Sequence, residues 1–379
     1  MRKNKIAAVV VTYNRKELLM ENLEALLAQK EKRFDILVID NHSTDGTRDD
    51  VEDFIWMRGG TFEDITIPEA AAARSGSAAQ TPGSTSAHSV QAGTATQSPG
   101  TTSAQSGQVA AAAQTPGAGN QPTPPIFYIN TGSNLGGAGG FSYGIQRAVE
   151  AGYSYVWLMD DDCIPQPEAL DRLCAAAKRQ HGRFGFLSSK TLWKDGELCR
   201  MNVQRRSLFH NLDKFPEEKS MADNGRGSDI PIVIASFVSM MIPASVIRRV
   251  GLPIAQFFIW TDDWEYSRRI SRHYPCFAVA DSEVVHKTSE NVGTSIATDR
   301  ADRLWRYRLA YRNEVVLYRR EGVRGWLHIL VRTPLHIARV LLKAKDHRVK
   351  RILMILRGTL DGCTFFPGIK SVQVRESYP

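Results

Sequence analysis

Residues 155–167 run Tyr-Val-Trp-Leu-Met-Asp-Asp-Asp-Cys-Ile-Pro-Gln-Pro, an apolar stretch that empties into three consecutive carboxylates. Apolar on both faces, Tyr155–Met159 is expected to be a buried strand of a parallel sheet. Strand alternation carried to its end puts Asp160 and Asp162 on one face and Asp161 on the other. Two carboxylates on one side suit a hard divalent cation such as Mg²⁺ or Mn²⁺.

The same pattern extends upstream. Ile6–Val11 is an apolar run ending in Thr12-Tyr13-Asn14-Arg15, followed by leucines at helical spacing (Leu18, Leu19, Leu23, Leu26, Leu27). Phe34–Ile39 ends in Asp40-Asn41-His42-Ser43, with Ser43 or Thr44 expected to cap a helix from about Thr47 to Trp56. Ile126–Asn130 then leads through a loop over Thr131–Gly140 to a helix over Phe141–Ala151. Strand–helix alternation predicts an α/β fold, a Rossmann-like, mostly parallel sheet with helices on both faces. Ligands of such sheets collect beyond the carboxyl ends of the strands, so these polar clusters are expected to line one crevice.

Composition bounds the rest. The chain has 379 residues, of which 42% are hydrophobic, enough for at least one large core. Ser75–Pro125 holds no Asp, Glu, Lys, Arg or aromatic residue, and within an interruption at 70–125 it is expected to be a flexible insertion. The five cysteines are scattered without a C-x-x-C pair, against a disulfide scaffold or zinc site. The basic start precedes too short an apolar run for a signal peptide, and Ile230–Ile247 contains Pro231 and Pro243, against a membrane span. Residues 301–357 hold fifteen Lys or Arg against four Asp or Glu, while the whole chain is +8, so the body is mildly acidic. That placement argues against nucleic acid. Cations interleaved with large apolar groups, as in HIARVLLKAK, suit an anionic membrane surface, so a peripheral position on the inner face of the cell membrane is expected. Residues 1–300 are taken as the catalytic domain and 301–379 as a basic, amphipathic helical region.

Three further groups carry chemistry. Trp260-Thr261-Asp262-Asp263-Trp264-Glu265 precedes a helix, and its acids offer a general base while its tryptophans offer flat faces for stacking. His286 follows a strand and its imidazole can complete a cation site. Asn134-Leu-Gly-Gly-Ala-Gly-Gly140 lets backbone approach a ligand closely, yet matches neither the dinucleotide fingerprint nor a Walker loop.

As a set, VVVTYNR, VIDNHSTDGT, NLGGAGGF, LMDDDCIPQP and TDDWEYSRR resemble the inverting family 2 glycosyltransferases of the GT-A fold, particularly the galactofuranosyltransferase and rhamnosyltransferase branch. The resemblance covers about Lys5–Trp56 and Ile126–Glu321. It implies a nucleotide-diphosphate sugar donor and a glycan or lipid-linked acceptor. Thr12, Asn14, Arg15 and Asp40 would then lie around the nucleoside, with Asn134, Gly136, Gly137 and Asp161 in the donor site. Asp160, Asp162 and His286 would hold Mn²⁺ or Mg²⁺. Asp263 would be the general base, with Asp262 and Glu265 positioning the acceptor or supporting the site and Trp260 and Trp264 at the acceptor. Arg312-Asn313 resembles a galactofuranosyltransferase feature and favours UDP-galactofuranose over dTDP-rhamnose. A non-catalytic nucleotide-sugar-binding scaffold and a nucleotidyltransferase are the competing readings, and a homo-oligomer is left open.

Overall fold

Four apolar runs build the parallel half of a central sheet in the computed structural model, which describes residues 5–58, 62–63, 123–211 and 229–372. The low-complexity stretch at 70–122 lies outside the described residues. The elements are β1 (Ile6–Thr12), α1 (Lys16–Leu27), β2 (Phe34–Asp40), α2 (Thr47–Trp56), β3 (Ile126–Asn130), α3 (Gly136–Glu150) and β4 (Tyr155–Asp160), with strand order β3-β2-β1-β4. Register pairs Thr12 with Asp40 and Val11 with Asp160, which brings three loop clusters to one edge.

Beyond β4 the sheet becomes mixed. Its other strands are β5 (Cys163–Pro165), β6 (Leu187–Leu192), β9 (Asp229–Pro231), β10 (Met240–Pro243) and β11 (Phe277–His286). Helices α4 (Ala169–Arg179), α5 (Ala244–Val250) and α6 (Asp262–Ser271) intervene, and β7 (Arg205–Ser207) pairs with β8 (His210–Asn211) in a separate ribbon. β10 lies antiparallel between β4 and β6, whereas β11 runs parallel to β6. β11 carries a register shift against β6 between Val279 and Glu283. Antiparallel pairing of β5 with β11 sets Cys163 opposite His286 and so delivers His286 to the neighbour of Cys163, Asp162.

Alternating strand residues feed two cores. Ala7, Val9, Leu37 and Ile39 pack with Phe141, Ile145 and Val149 of α3 on one face. Ala8, Val10, Ile36 and Val38 pack with α1, α2 and α4 on the other. Two local expectations are corrected. The N-cap of α2 is Gly46 rather than Ser43 or Thr44, and Asp45 just before it accepts at Oδ1 from the Thr47 N–H (3.2 Å) and hydroxyl (2.5 Å). The glycines expected in a loop instead open helix α3, because the helix lies so close to the sheet that side chains do not fit. A Cβ on Gly140 would meet Val11 at 2.7 Å, and one on Gly144 would meet Val9 at 2.6 Å and Ile39 at 2.8 Å.

The C-terminal helices α7 (Leu304–Arg319), α8 (Val323–Lys343) and α9 (Arg348–Thr364) form a third layer against the body. Gly358 and Gly362 of α9 let it approach α7 backbone closely, where a Cβ would meet the carbonyls of Arg308 and Arg312 at 2.5 and 2.7 Å. The buried Arg351 donates to the carbonyls of Ile296 (2.6 Å) and Asp299 (2.9 Å), tying α9 to the loop before α7. Along α8, Trp326, Leu327, Leu330, Val331, Leu335, Leu341 and Leu342 are all exposed, and the helix contains no Asp or Glu. No described helix is long and apolar enough to cross a membrane.

The close seat of α3 has a measurable consequence. Gly144→Ala is expected to destabilise the fold by about 1–3 kcal/mol through overpacking against Val9 and Ile39, read as a lower denaturant midpoint at unchanged slope.

Candidate active site

The carboxyl edge of β1 and β4, the start of α3, the loop before α6 and the tail helices surround a crevice of about 1090 Å³. That volume is ample for a nucleotide sugar. Thr12, Arg15, Asn134, Gly136, Gly137, Asp160, Asp161, Asp162, Trp260, Asp262, Asp263, Trp264 and His286 all line it. Asn14, Asp40 and Glu265 do not.

β4 ends at Asp160, so Asp161 and Asp162 lie in the turn after it rather than in strand alternation. Asp161 accepts from the Thr12 hydroxyl (2.8 Å) and from Arg15 Nη1 (3.2 Å), while Asp162 accepts from the same Arg15 nitrogen at 2.9 Å. On the other side, ligand atoms of Asp160, Asp162 and His286 lie within 4.8 Å of one another. Two carboxylate oxygens and one imidazole nitrogen so clustered fit Mn²⁺ or Mg²⁺ in donor chemistry.

Burial and mutual repulsion set the protonation states. Burial, then Asp162, pushes Asp160 up to about 7, and burial pushes Asp161 to about 6 against the pull of Arg15. Burial opposes the charged imidazolium of His286, but its hydrogen bond with Asp162 (2.9 Å) carries it up to about 10. Burial likewise opposes the charge on Asp162, which that bond nonetheless holds below the usual carboxylate range. Asn202 orients the ring. Its amide nitrogen donates to Ser236 Oγ (3.0 Å), leaving Oδ1 to face His286 Nδ1 at 2.8 Å and Nε2 to face Asp162. This is the outer-shell arrangement that fixes a ligating imidazole.

Across the crevice, the acids of α6 are also held in an unusual state. Burial raises Asp262 to about 6 and, with Asp262 and Asp160 as neighbours, holds Asp263 well above the ordinary range. Glu265, expected among the catalytic acids, turns away: both its oxygens engage Arg269 (3.0 and 2.8 Å) and it also pairs with Arg320. A buried acid one helical turn from the crevice finds arginines there, so its role is to anchor α6 to the tail.

Asn14 and Asp40 organise loops rather than the crevice wall. Asn14 Oδ1 accepts from the Thr44 N–H (2.7 Å), and Asp40 accepts from the Ser43 N–H (2.9 Å) and the Tyr128 hydroxyl (2.5 Å). Trp260 packs edge-on against Tyr307, with ring centroids 5.1 Å apart, and Trp264 lies beneath the Arg205 guanidinium at 4.0 Å.

The loop before α6 is backbone-strained, with Phe258, Trp260 and Thr261 at φ of 65°, 63° and 70°. Asn313 Nδ2 holds it, donating to the carbonyls of Phe257 (3.1 Å), Ile259 (3.1 Å) and Trp260 (3.0 Å). Arg312 adds a bond to the Gln256 carbonyl at 2.8 Å. Gly136, at φ 69°, meets this loop so closely that a Cβ would stand 2.2 Å from the Phe258 carbonyl oxygen. Asn202, Phe258 and the tail residues Trp305, Arg306 and Tyr307 also belong to the site, and sequence reasoning passed over them. Asn202 sits in a short turn with no pattern to mark it, while the tail residues were read as a separate region.

The mixed sheet with an acidic crevice at its carboxyl edge has the architecture of a GT-A glycosyltransferase. In family comparisons, residues 7–73 match Glycosyl transferase family 2 and residues 120–302 match Glycosyltransferase like family 2, which supports a family 2 glycosyltransferase. Galactofuranosyltransferase GlfT1 of Mycolicibacterium smegmatis (strain ATCC 700084 / mc(2)155) is 26% identical over 152 residues, 40% of this chain and 49% of that protein. The GlfT1 of Mycobacterium tuberculosis (strain CDC 1551 / Oshkosh) is 27% identical over 155 residues, 38% of this chain and 46% of that protein. The chain thus spans about half the length of the curated relatives it matches. Among solved structures, GalNAc-T7 with UDP, GalNAc and Mn²⁺ superposes with a TM-score of 0.50 at 12% identity, covering 82% of this chain and 47% of that one, a likeness of fold.

A cation site at Asp160, Asp162 and His286 would have a predictable pH dependence. A divalent ion must displace the proton of His286 at any pH below about 10, and below about 7 that of Asp160 as well. Apparent Mn²⁺ affinity is therefore expected to rise with pH, roughly tenfold from pH 7 to 8 and up to about a hundredfold from pH 5.5 to 6.5. Calorimetric titrations across that range, with proton release counted from buffer ionisation heats, check it.

Proposed function

We propose that this chain transfers a sugar from a nucleotide-diphosphate donor to a hydroxyl of a growing cell-surface glycan or lipid-linked acceptor, by a single inverting displacement. The observation that carries the reading is that Asp160, Asp162 and His286 share a crevice with Asp263 although they lie far apart in the chain. UDP-galactofuranose is the favoured donor, supported by the partial identity to GlfT1 and by Arg312-Asn313. A dTDP-rhamnose donor is the alternative within the same chemistry.

Asp263 takes the proton from the acceptor hydroxyl as that oxygen attacks the anomeric carbon, and the bond from that carbon to the diphosphate oxygen breaks as the nucleotide leaves. Its raised pKa makes it a better proton acceptor than an ordinary exposed carboxylate. A divalent ion held by Asp160, Asp162 and His286 would supply positive charge to the leaving diphosphate. Arg15 orients Asp161 and Asp162 and faces the same space, as does Arg306, which has no hydrogen bond or ion pair among the described residues. Trp260 and Trp264 flank the acceptor side.

The exposed apolar stripe of α8, with cations and no acids, supports a peripheral seat on an anionic bilayer at the cytoplasmic face.

Two experiments test these readings. With Mn²⁺ present, wild-type protein is expected to turn over UDP-galactofuranose or dTDP-rhamnose, and Asp263→Asn to lose about 10²–10⁴-fold in kcat with donor affinity retained; a full-rate variant removes Asp263 as base. A protein that binds UDP without any divalent ion and turns nothing over favours the scaffold reading. Leu330→Gln with Leu335→Gln is expected to weaken sedimentation with phosphatidylglycerol vesicles at least about tenfold, since each exposed leucine contributes roughly 1.5–3 kcal/mol once buried.

A further inference from the structure

Apart from Arg200, the arginines that line the crevice fall into two groups. At the metal end, Arg15 touches Asp161 and Asp162, and Arg306 has Arg303, Asp299, Arg15 and Asp302 as charged neighbours. At the other end, built by β7 and the inner face of α8, Arg205 neighbours Tyr318, Arg332 and Glu314, and Arg339 joins Arg332 around His336. Neither group has a member of the other among these neighbours.

Charge at the second end does not balance. Glu314 is its one carboxylate among the described lining residues, and both its oxygens are engaged by Arg332. Arg205 donates through Nη1 to the Leu208 carbonyl (2.9 Å), but its Nε is buried without a partner among the described residues. Burial holds its pKa below the usual range. Arg339 makes no hydrogen bond or ion pair among the described residues and lines the same space. His336, driven down to about 4 by burial and by Arg332 and Arg339, is neutral and bonded to the Tyr311 hydroxyl at 2.6 Å. Arg205 is partly withdrawn from water without a carboxylate of its own, which is costly, and an anionic ligand removes that cost, while the exposed Arg339 adds positive charge beside it.

A sugar donor brings one strongly anionic part, its diphosphate, and the metal end accounts for that. Arg205 rests on the ring of Trp264, the residue after Asp263, so the second end lies just past the base on the acceptor side. We infer that the acceptor carries an anionic group of phosphoryl class, bound by Arg205 and Arg339 while its sugar hydroxyl faces Asp263. This rests on the transferase reading and adds the chemical class of the acceptor. A bilayer headgroup offers the same chemistry, and the test separates the two sources.

The full chain, saturated with UDP and Mn²⁺, is titrated with octyl phosphate and with octyl glucoside, and separately sedimented with phosphatidylcholine vesicles with and without phosphatidylglycerol. Octyl phosphate is expected to bind at least about tenfold tighter than octyl glucoside. Arg205→Gln with Arg339→Gln should weaken octyl phosphate by about tenfold or more, leaving UDP affinity and vesicle sedimentation as in the wild type. Should the double variant also lose UDP, Arg339→Gln alone, at an exposed position, decides, with an expected loss of about threefold or more. The inference is overturned by octyl phosphate that does not bind or binds the deciding variant equally well, or by a loss confined to phosphatidylglycerol vesicles, which assigns the cations to headgroups. Failure of the wild type to bind UDP with Mn²⁺ overturns the transferase reading and this inference with it.

Discussion

Electrostatic crowding is the constraint around which this molecule is arranged. Asp160, Asp161, Asp162, Asp262 and Asp263 border one crevice, and several sit where burial alone would favour their neutral forms. Each must be offset or tolerated. Thr12 and Arg15 answer Asp161, His286 answers Asp162, and Asp160 and Asp263 are left with little local compensation. A fold that retains uncompensated acids in a cleft meets the requirement for a site that takes up cations and protons during its work.

Much of this could be seen in the chain before any coordinates. The strand leading into Asp160–Asp162 and the apolar runs before Thr12 and Asp40 each state their own position at a sheet edge, because parallel strands buried on both faces leave a strong signal. What the sequence concealed lies in long-range register. Nothing near His286 announces that β11 pairs with β5 and so carries it to Asp162, and nothing near Asn202 marks it as the residue that turns the imidazole. Glu265 was misleading for a related reason. It stands in the same acidic run as Asp263, yet helical rotation points it toward Arg269 and Arg320.

The tail shows the same contrast. Its charge and apolar content are plain in the composition, whereas its part in the crevice depends on how α7 lies across the body. Trp305, Arg306 and Tyr307 form wall, and α8 turns Arg332, His336 and the more exposed Arg339 toward the crevice while its leucines lie open to solvent. One helix therefore serves two environments, its periodicity sorting side chains between them.

Asn313 recognises main-chain oxygens at 257, 259 and 260 and no side chain of that loop. The path of the loop is consequently independent of most of the residues it displays. Substitutions at Phe258, Ile259 and Trp260, within the limits of left-handed backbone, therefore leave this anchorage itself intact. Selectivity for what enters the cleft can drift here, one side chain after another, without the architecture having to be reinvented.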